Sequence, residues 1–192
     1  MRNFLKDNSP MIVKLVLNQI GAAILGLSVS ALATGRQVGL FALLSLFATC
    51  FYVFLLYSTM WEEGGKERIK VDSGRAEMKH LRGLYIALAA NAFNILLALF
   101  TLIGYVFGSA SGLCEWTWAG TLGGMAKVAI VLLESMYIGI YQYVLKGFEA
   151  SSFAYIIAYF VIIIPGIIVP AFAYAMGINN KRLLGKKNVN KK

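Results

Sequence analysis

Charge is scarce in this chain. Only 14% of its 192 residues are charged, against 59% apolar, and mean hydropathy is +0.70. Five stretches, roughly 12–35, 38–60, 84–108, 124–145 and 152–178, run on with almost no charge. A soluble domain cannot hold such segments in water, whereas an apolar helix of about 20 residues spans a bilayer core. Histidine occurs once and cysteine twice, too few for a metal cluster. Gly64-Gly65-Lys66 lacks the full spacing of a phosphate-binding loop. His80 stands beside Lys79 with no nucleophile in view, so neither enzymatic chemistry nor a cofactor is expected. Long polar segments are missing too. The longest runs from Glu62 to Arg82, and the linkers Arg36–Gln37, Leu113–Gly123 and Gly147–Ser151 are short.

What is present points to an all-α, polytopic transmembrane bundle of five hydrophobic helices. Helices are favoured because backbone groups in lipid must pair within the protein. Residues 1–192 are expected to form one integral membrane domain, with 62–82 as a charged cytoplasmic loop and 179–192 as a basic tail. The first segment is too long for a signal peptide and reads as a retained helix starting after Ser9–Pro10. Gly35 marks its end, and Arg36–Gln37 makes a tight turn into the second. Tyr57, Trp61, Trp116 and Trp118 suit the interface.

The net charge of +9 is expected to reflect topology and contact with anionic membrane lipid, not nucleic acid. Lys66, Arg68, Lys70, Arg75, Lys79 and Arg82 make 62–82 cytoplasmic, and Arg2, Lys6 and Lys14 put the N-terminus on the same side. The tail, with Lys181, Arg182, Lys186, Lys187, Lys191 and Lys192, also looks cytoplasmic. Five complete crossings would put it outside. Either the basic tail is external, or 152–178 turns back, leaving four crossings. Pro165-Gly166 and Pro170 fall mid-segment, where lost donors weaken a helix. The fifth helix is thus expected to be kinked or re-entrant at Pro165-Gly166. Its length favours a kinked crossing.

Several polar residues interrupt the apolar runs. Asn18, Gln19, Ala22, Gly26 and Ser30 give segment one a small and amide-bearing face suited to helix packing. In segment three Asn91, Asn94, Ala98, Thr101 and Tyr105 recur at spacings of three and four, on one face. Glu134 lies inside Ile130-Val131-Leu132-Leu133-Glu134-Ser135-Met136, where a carboxylate should face the bundle or water. It is expected to be protonated or paired with a cation. Lys127, Tyr137 and Tyr141 lie on broadly its side, with Lys127 two turns away and free to snorkel outward. Tyr155, Tyr159 and Tyr174 need partners for their hydroxyls if buried. Cys50 and Cys114 read as unpaired packing residues.

The charged stretch mixes signs densely, as a solvated face or a partner surface would. Trp61-Glu62, Gly64, Lys66, Val71 and Gly74-Arg75, followed by Gly83-Leu84, Ile86, Leu88 and Ala90-Asn91, resemble small polytopic membrane proteins of Gram-positive bacteria. The resemblance implies a membrane class and a bacterial cell membrane, and no mechanism. Two roles fit the residues. One is transport or permeation of a small solute or ion along Glu134, Asn91, Asn94, Tyr141 and Thr101. The other is a non-catalytic membrane subunit, immunity factor or assembly factor. In either, a homo-oligomer or a membrane protein partner could supply surface that so short a chain lacks.

Overall fold

The computed structural model describes residues 2–33, 38–75, 77–79, 81–108, 116–147 and 152–180. Gly35, the Arg36–Gln37 turn, His80, Cys114, residues 148–151 and the tail from Lys181 lie outside them, whereas 116–123 of the expected linker Leu113–Gly123 lie within. The described elements are α1 (Arg2–Ala33), α2 (Val38–Asp72), α3 (Arg82–Phe107), α4 (Thr117–Leu133), a 3-10 turn (Ser135–Tyr137), α5 (Ile138–Gly147) and α6 (Ser152–Ile178). Four helices, within α1, α2, α3 and α6, are long and apolar enough to cross a membrane. The fourth hydrophobic segment is a bent pair, α4 and α5, at 75° to one another.

Three expectations change at this level. The first helix begins at Arg2 and carries Pro10 inside it. Contacts hold the early turns: Phe4 meets Tyr85 edge-on, and the buried Asn8 accepts a hydrogen bond from Arg82 Nε at 2.9 Å. Secondly, 62–82 is not a loop over its first half, because α2 stays helical to Asp72. At about 1.5 Å per residue, α2 far outruns a bilayer core of about 30 Å. Its outer turns carry the i,i+4 pairs Lys66–Glu62 and Arg68–Asp72. Thirdly, the break belongs to segment four and not segment five. α6 is helical through Pro165, Gly166 and Pro170 without interruption.

Contacts define the two ends of the bundle. Arg82, at the start of α3, joins Asn8 near the start of α1 and Glu67 near the end of α2. The end of α6 is also here, since Gly83 abuts Tyr174 and Gly64 abuts Gly177. At the opposite end Phe107 stacks on Trp116, and Tyr105 meets Phe153 at the start of α6. α4 enters from this Trp116 end. The chain after it then climbs back along α2: Met136 lies at Ser45 and Thr49, and Gly139 at Phe41 near the start of α2. α4 and α5 therefore enter and leave by the same end, which leaves four helices long and apolar enough to cross. α6 ends beside the start of α1.

Small residues set the spacing. α3 and α4 touch backbone to backbone at Gly104 against Gly123. α2 and α6 do so at Gly64 and Gly177, where a Cβ on Gly64 would overlap the Tyr174 carbonyl. Such close approach is how helices associate when lipid removes the hydrophobic drive between them. The core beneath has two parts, one around Tyr52, Leu56, Met60, Ile86 and Tyr174, the other around Leu97, Ala98, Ile130, Tyr159 and Ile163.

Gly64 and Gly65 make a paired test. A Cβ on Gly65 meets nothing within 4 Å. Gly65→Ala should leave the melting temperature in detergent unchanged or raise it, since alanine favours a helix by roughly 0.5–1 kcal/mol. Gly64→Ala should lower it clearly. Equal effects would refute the close α2–α6 contact.

Candidate functional site

The site forms where α4 stops. Nothing in Leu132-Leu133-Glu134-Ser135-Met136 is a helix breaker. Glu134 N still bonds the Ile130 carbonyl at 2.9 Å, but its own backbone turns aside at φ −105°, ψ 25°. Groups from α1 and α2 take over from there. Ser135 Oγ donates to the Ala23 carbonyl at 2.6 Å. Ser45 and Thr49 donate to the Met136 carbonyl at 2.5 and 3.1 Å, and Gly139 N donates to Ser45 Oγ at 3.1 Å. Gly26 lets the turn sit against α1, because a Cβ there would overlap the backbone of Ser135 and Met136. Irregular backbone is tolerated at membrane depth only when buried in protein like this.

The bend carries the Glu134 side chain into the bundle, where the residue is 3% exposed. Its Oε1 accepts two hydrogen bonds, from Gln19 Nε2 and Asn94 Nδ2, both 2.9 Å. Asn94 Nδ2 also lies 3.4 Å from Asn91 Oδ1. Asn91 Nδ2 in turn donates to the Ala87 carbonyl at 3.0 Å and the Gly166 carbonyl at 2.9 Å. The last bond has a local cause. Pro170 has no N–H to give residue 166, four positions back, so Gly166 loses its helical partner. Asn91 replaces it. The chain of groups thus runs Gln19–Glu134–Asn94–Asn91–Gly166, across α1, α3 and α6.

Glu134 Oε2 takes no hydrogen bond from the described residues. Glu134 lines a cavity of about 470 Å³, together with Lys127, Tyr137, Tyr141 and Tyr159. Lys127, Tyr155 and Tyr159 also line a larger groove of about 840 Å³ that reaches Trp116 and Thr117. The two spaces lead from the Trp116 end toward Glu134. Toward the Arg82 end the cluster is backed by Leu56, Met60, Ile86 and Tyr174, all buried. The Tyr137 hydroxyl is buried with no hydrogen-bond partner among the described residues. Tyr141 stacks on Tyr159 at 5.8 Å between ring centroids and meets Tyr155 edge-on at 5.5 Å.

The structure therefore brings Glu134, Asn91 and Asn94 together, and adds Gln19 from the face of α1 read as packing. Tyr141 shares the cavity without touching the amides. Thr101 bonds the Leu97 carbonyl of its own helix and lines the larger groove. The other α1 residues split: Asn18 donates to Thr59 Oγ1 at 3.0 Å, Ala22 is fully buried, Gly26 receives the turn, and Ser30 bonds the Gly26 carbonyl. Sequence reasoning missed Ser45, Thr49 and Ser135. Their only signal was a hydroxyl within an apolar run, and many such hydroxyls simply bond their own helix.

A second polar cluster lies at the Arg82 end. Glu67, read as part of a solvated face, is 5% exposed, with Arg82 Nη1 at 2.5 Å and Lys70 Nζ at 3.5 Å. Arg82 bridges it to Asn8, so one guanidinium ties α1, α2 and α3. Among the described residues, no group of three or more potential metal ligands forms. Compared with known proteins, the chain matches no family model, no curated protein and no solved structure.

The Asn91–Gly166 bond makes a double-mutant test. Asn91→Leu leaves the Gly166 carbonyl bare and should destabilise by roughly 1–2 kcal/mol. In a Pro170→Ala background the helix regains that donor, and the same substitution should cost measurably less. Equal losses in both backgrounds, read by denaturation in detergent, would refute the replacement of a proline-lost bond.

Proposed function

We propose that this chain is a small membrane transport or permeation protein in which Glu134 is the coupling carboxyl. One observation carries the reading: a broken, re-entrant helix holds a single carboxylate deep in the bundle, at the inner end of a groove open at one side. Discontinuous helices with polar groups near the bilayer midplane are a recurring design for solute sites. Carboxylates inside a membrane are costly and mark ion or proton paths. The site is closed toward the Arg82 end, as alternating access requires of a resting state. The basic segments fit one orientation. With four crossings, the start of α1, the α2–α3 connection and the end of α6 share a side, which the positive-inside rule makes cytoplasmic in a bacterial cell membrane. The groove then opens outward.

A second reading has its own support. Both amides on Glu134 Oε1 are built into the helix packing, as expected of a structural knot in a non-catalytic subunit or assembly factor. Glu134→Gln separates the two, since glutamine keeps an acceptor for both amides. Proteoliposomes loaded with a pH-sensitive dye would be given inward gradients of small acids, amines, amino acids and polyols. The transport reading expects at least one class to shift lumenal pH with the native chain, above empty liposomes, and not with Glu134→Gln. No response to any class, or an equal response from the variant, would sink it in favour of the structural role.

A further inference from the structure

Resting on that transport reading, and deepening it, we propose that the groove takes a small organic monocarboxylate, held by Lys127 and the Tyr137 hydroxyl, and that its binding brings a proton onto Glu134.

Lys127 is the first observation. It lies ten residues into α4, about 15 Å from the helix start. It lines both the inner cavity and the outer groove, and none of the ion pairs among the described residues involves it. Lys127 is exposed toward these spaces, not enclosed by protein, and an ammonium at membrane depth is expensive unless water or an anion meets it. The second observation is independent. The Tyr137 side chain is 6% exposed, lines the same inner cavity, and its hydroxyl has no partner among the described residues. A buried hydroxyl without a bond costs roughly 1–3 kcal/mol, which a carboxylate oxygen would recover. An ammonium and a hydroxyl donor together suit a carboxylate.

The walls argue against the opposite charge. An organic cation would be repelled by Lys127. The tyrosine faces that might attract one are in part taken up by each other, with Tyr141 over Tyr159 and edge-on to Tyr155. A volume of about 470 Å³ suits a ligand of the size of benzoate.

The proton follows from placement. The groups around Glu134 are Gln19 from α1, Tyr52 from α2, Asn91 and Asn94 from α3, Lys127 from α4, Tyr137 and Tyr141 beyond the bend, and Tyr155 and Tyr159 from α6. Lys127 is the cation among them, and the anion would neutralise it. A second negative charge beside the bound anion is disfavoured, so wherever Glu134 is ionised beforehand it takes a proton from solution onto Oε2 as the anion binds. Anion and proton then occupy the groove together.

The test is calorimetric titration of benzoate into the full chain in nanodiscs at alkaline pH, where Glu134 starts ionised, in two buffers of different ionisation enthalpy, which counts the protons exchanged. Empty nanodiscs correct for partition into lipid. The expected result is saturable benzoate binding with net proton uptake, with benzylamine and benzyl alcohol weaker by about tenfold or more. Lys127→Gln should weaken benzoate by a similar factor and Lys127→Arg should restore it. Glu134→Gln should still bind benzoate, without proton uptake. The proposal is overturned by no benzoate binding, by tighter benzylamine, by indifference to Lys127→Gln, or by native binding without proton uptake. Proton-linked binding with no flux in proteoliposomes would instead sink transport and leave this site standing. Flux driven only by amines would do the reverse.

Discussion

Backbone hydrogen bonding inside the bilayer is the constraint on which this structure depends. A carbonyl or amide left bare there costs several kcal/mol, and lipid offers no replacement partner. Two places around the site forfeit helical bonds. At Pro170 the missing N–H strips the Gly166 carbonyl, and at Glu134 the turn strips the Met136 carbonyl of a regular helical partner. Each is repaired by a side chain from another helix: Asn91 in one case, Ser45 and Thr49 in the other. The repairs draw α1, α2, α3 and α6 together around one point, and Glu134 sits there. The candidate site is thus not an addition to the packing. It is where the packing resolves its polar deficits.

The same economy governs charge. Lys66, Arg68 and Asp72 are on the outer turns of α2, paired at helical spacing where water screens them. Glu67 is one residue from Lys66 yet buried, and its partner Arg82 also holds Asn8. Breaking such a buried pair is far worse than never having built it, so this junction fixes how the starts of α1 and α3 meet the end of α2.

The membrane-spanning character was legible because it is written in local composition, and so was the suspicion around Glu134, Asn91 and Asn94, polar residues among apolar ones. The break was not legible. Pro165, Gly166 and Pro170 carry the local marks of a broken helix, yet α6 runs through them. Leu133-Glu134-Ser135 carries none, yet there α4 ends. Both outcomes turn on partners far away in sequence: Asn91 lies 75 residues from Gly166, and Ser45 lies 91 from Met136. Gln19 likewise looked like helix glue because nothing local links it to Glu134, 115 residues on. Five complete crossings would have put the basic tail outside, and a reversal in segment five was the alternative that kept it inside. With the reversal in segment four, α6 crosses fully and still ends beside the start of α1.

The donors around Glu134 bear on its chemistry. Gln19 and Asn94 are neutral, and both bond the same oxygen, Oε1. An arginine or lysine in their place would bind the ionised carboxylate far more strongly than the neutral acid and would hold the group in one charge state. Two carboxamides discriminate less, because the carbonyl oxygen of a protonated carboxyl still accepts both bonds. Protonation on Oε2 then requires no rearrangement of α1 or α3. The side chain is held in one position in either charge state, which is what the proposed coupling role would use.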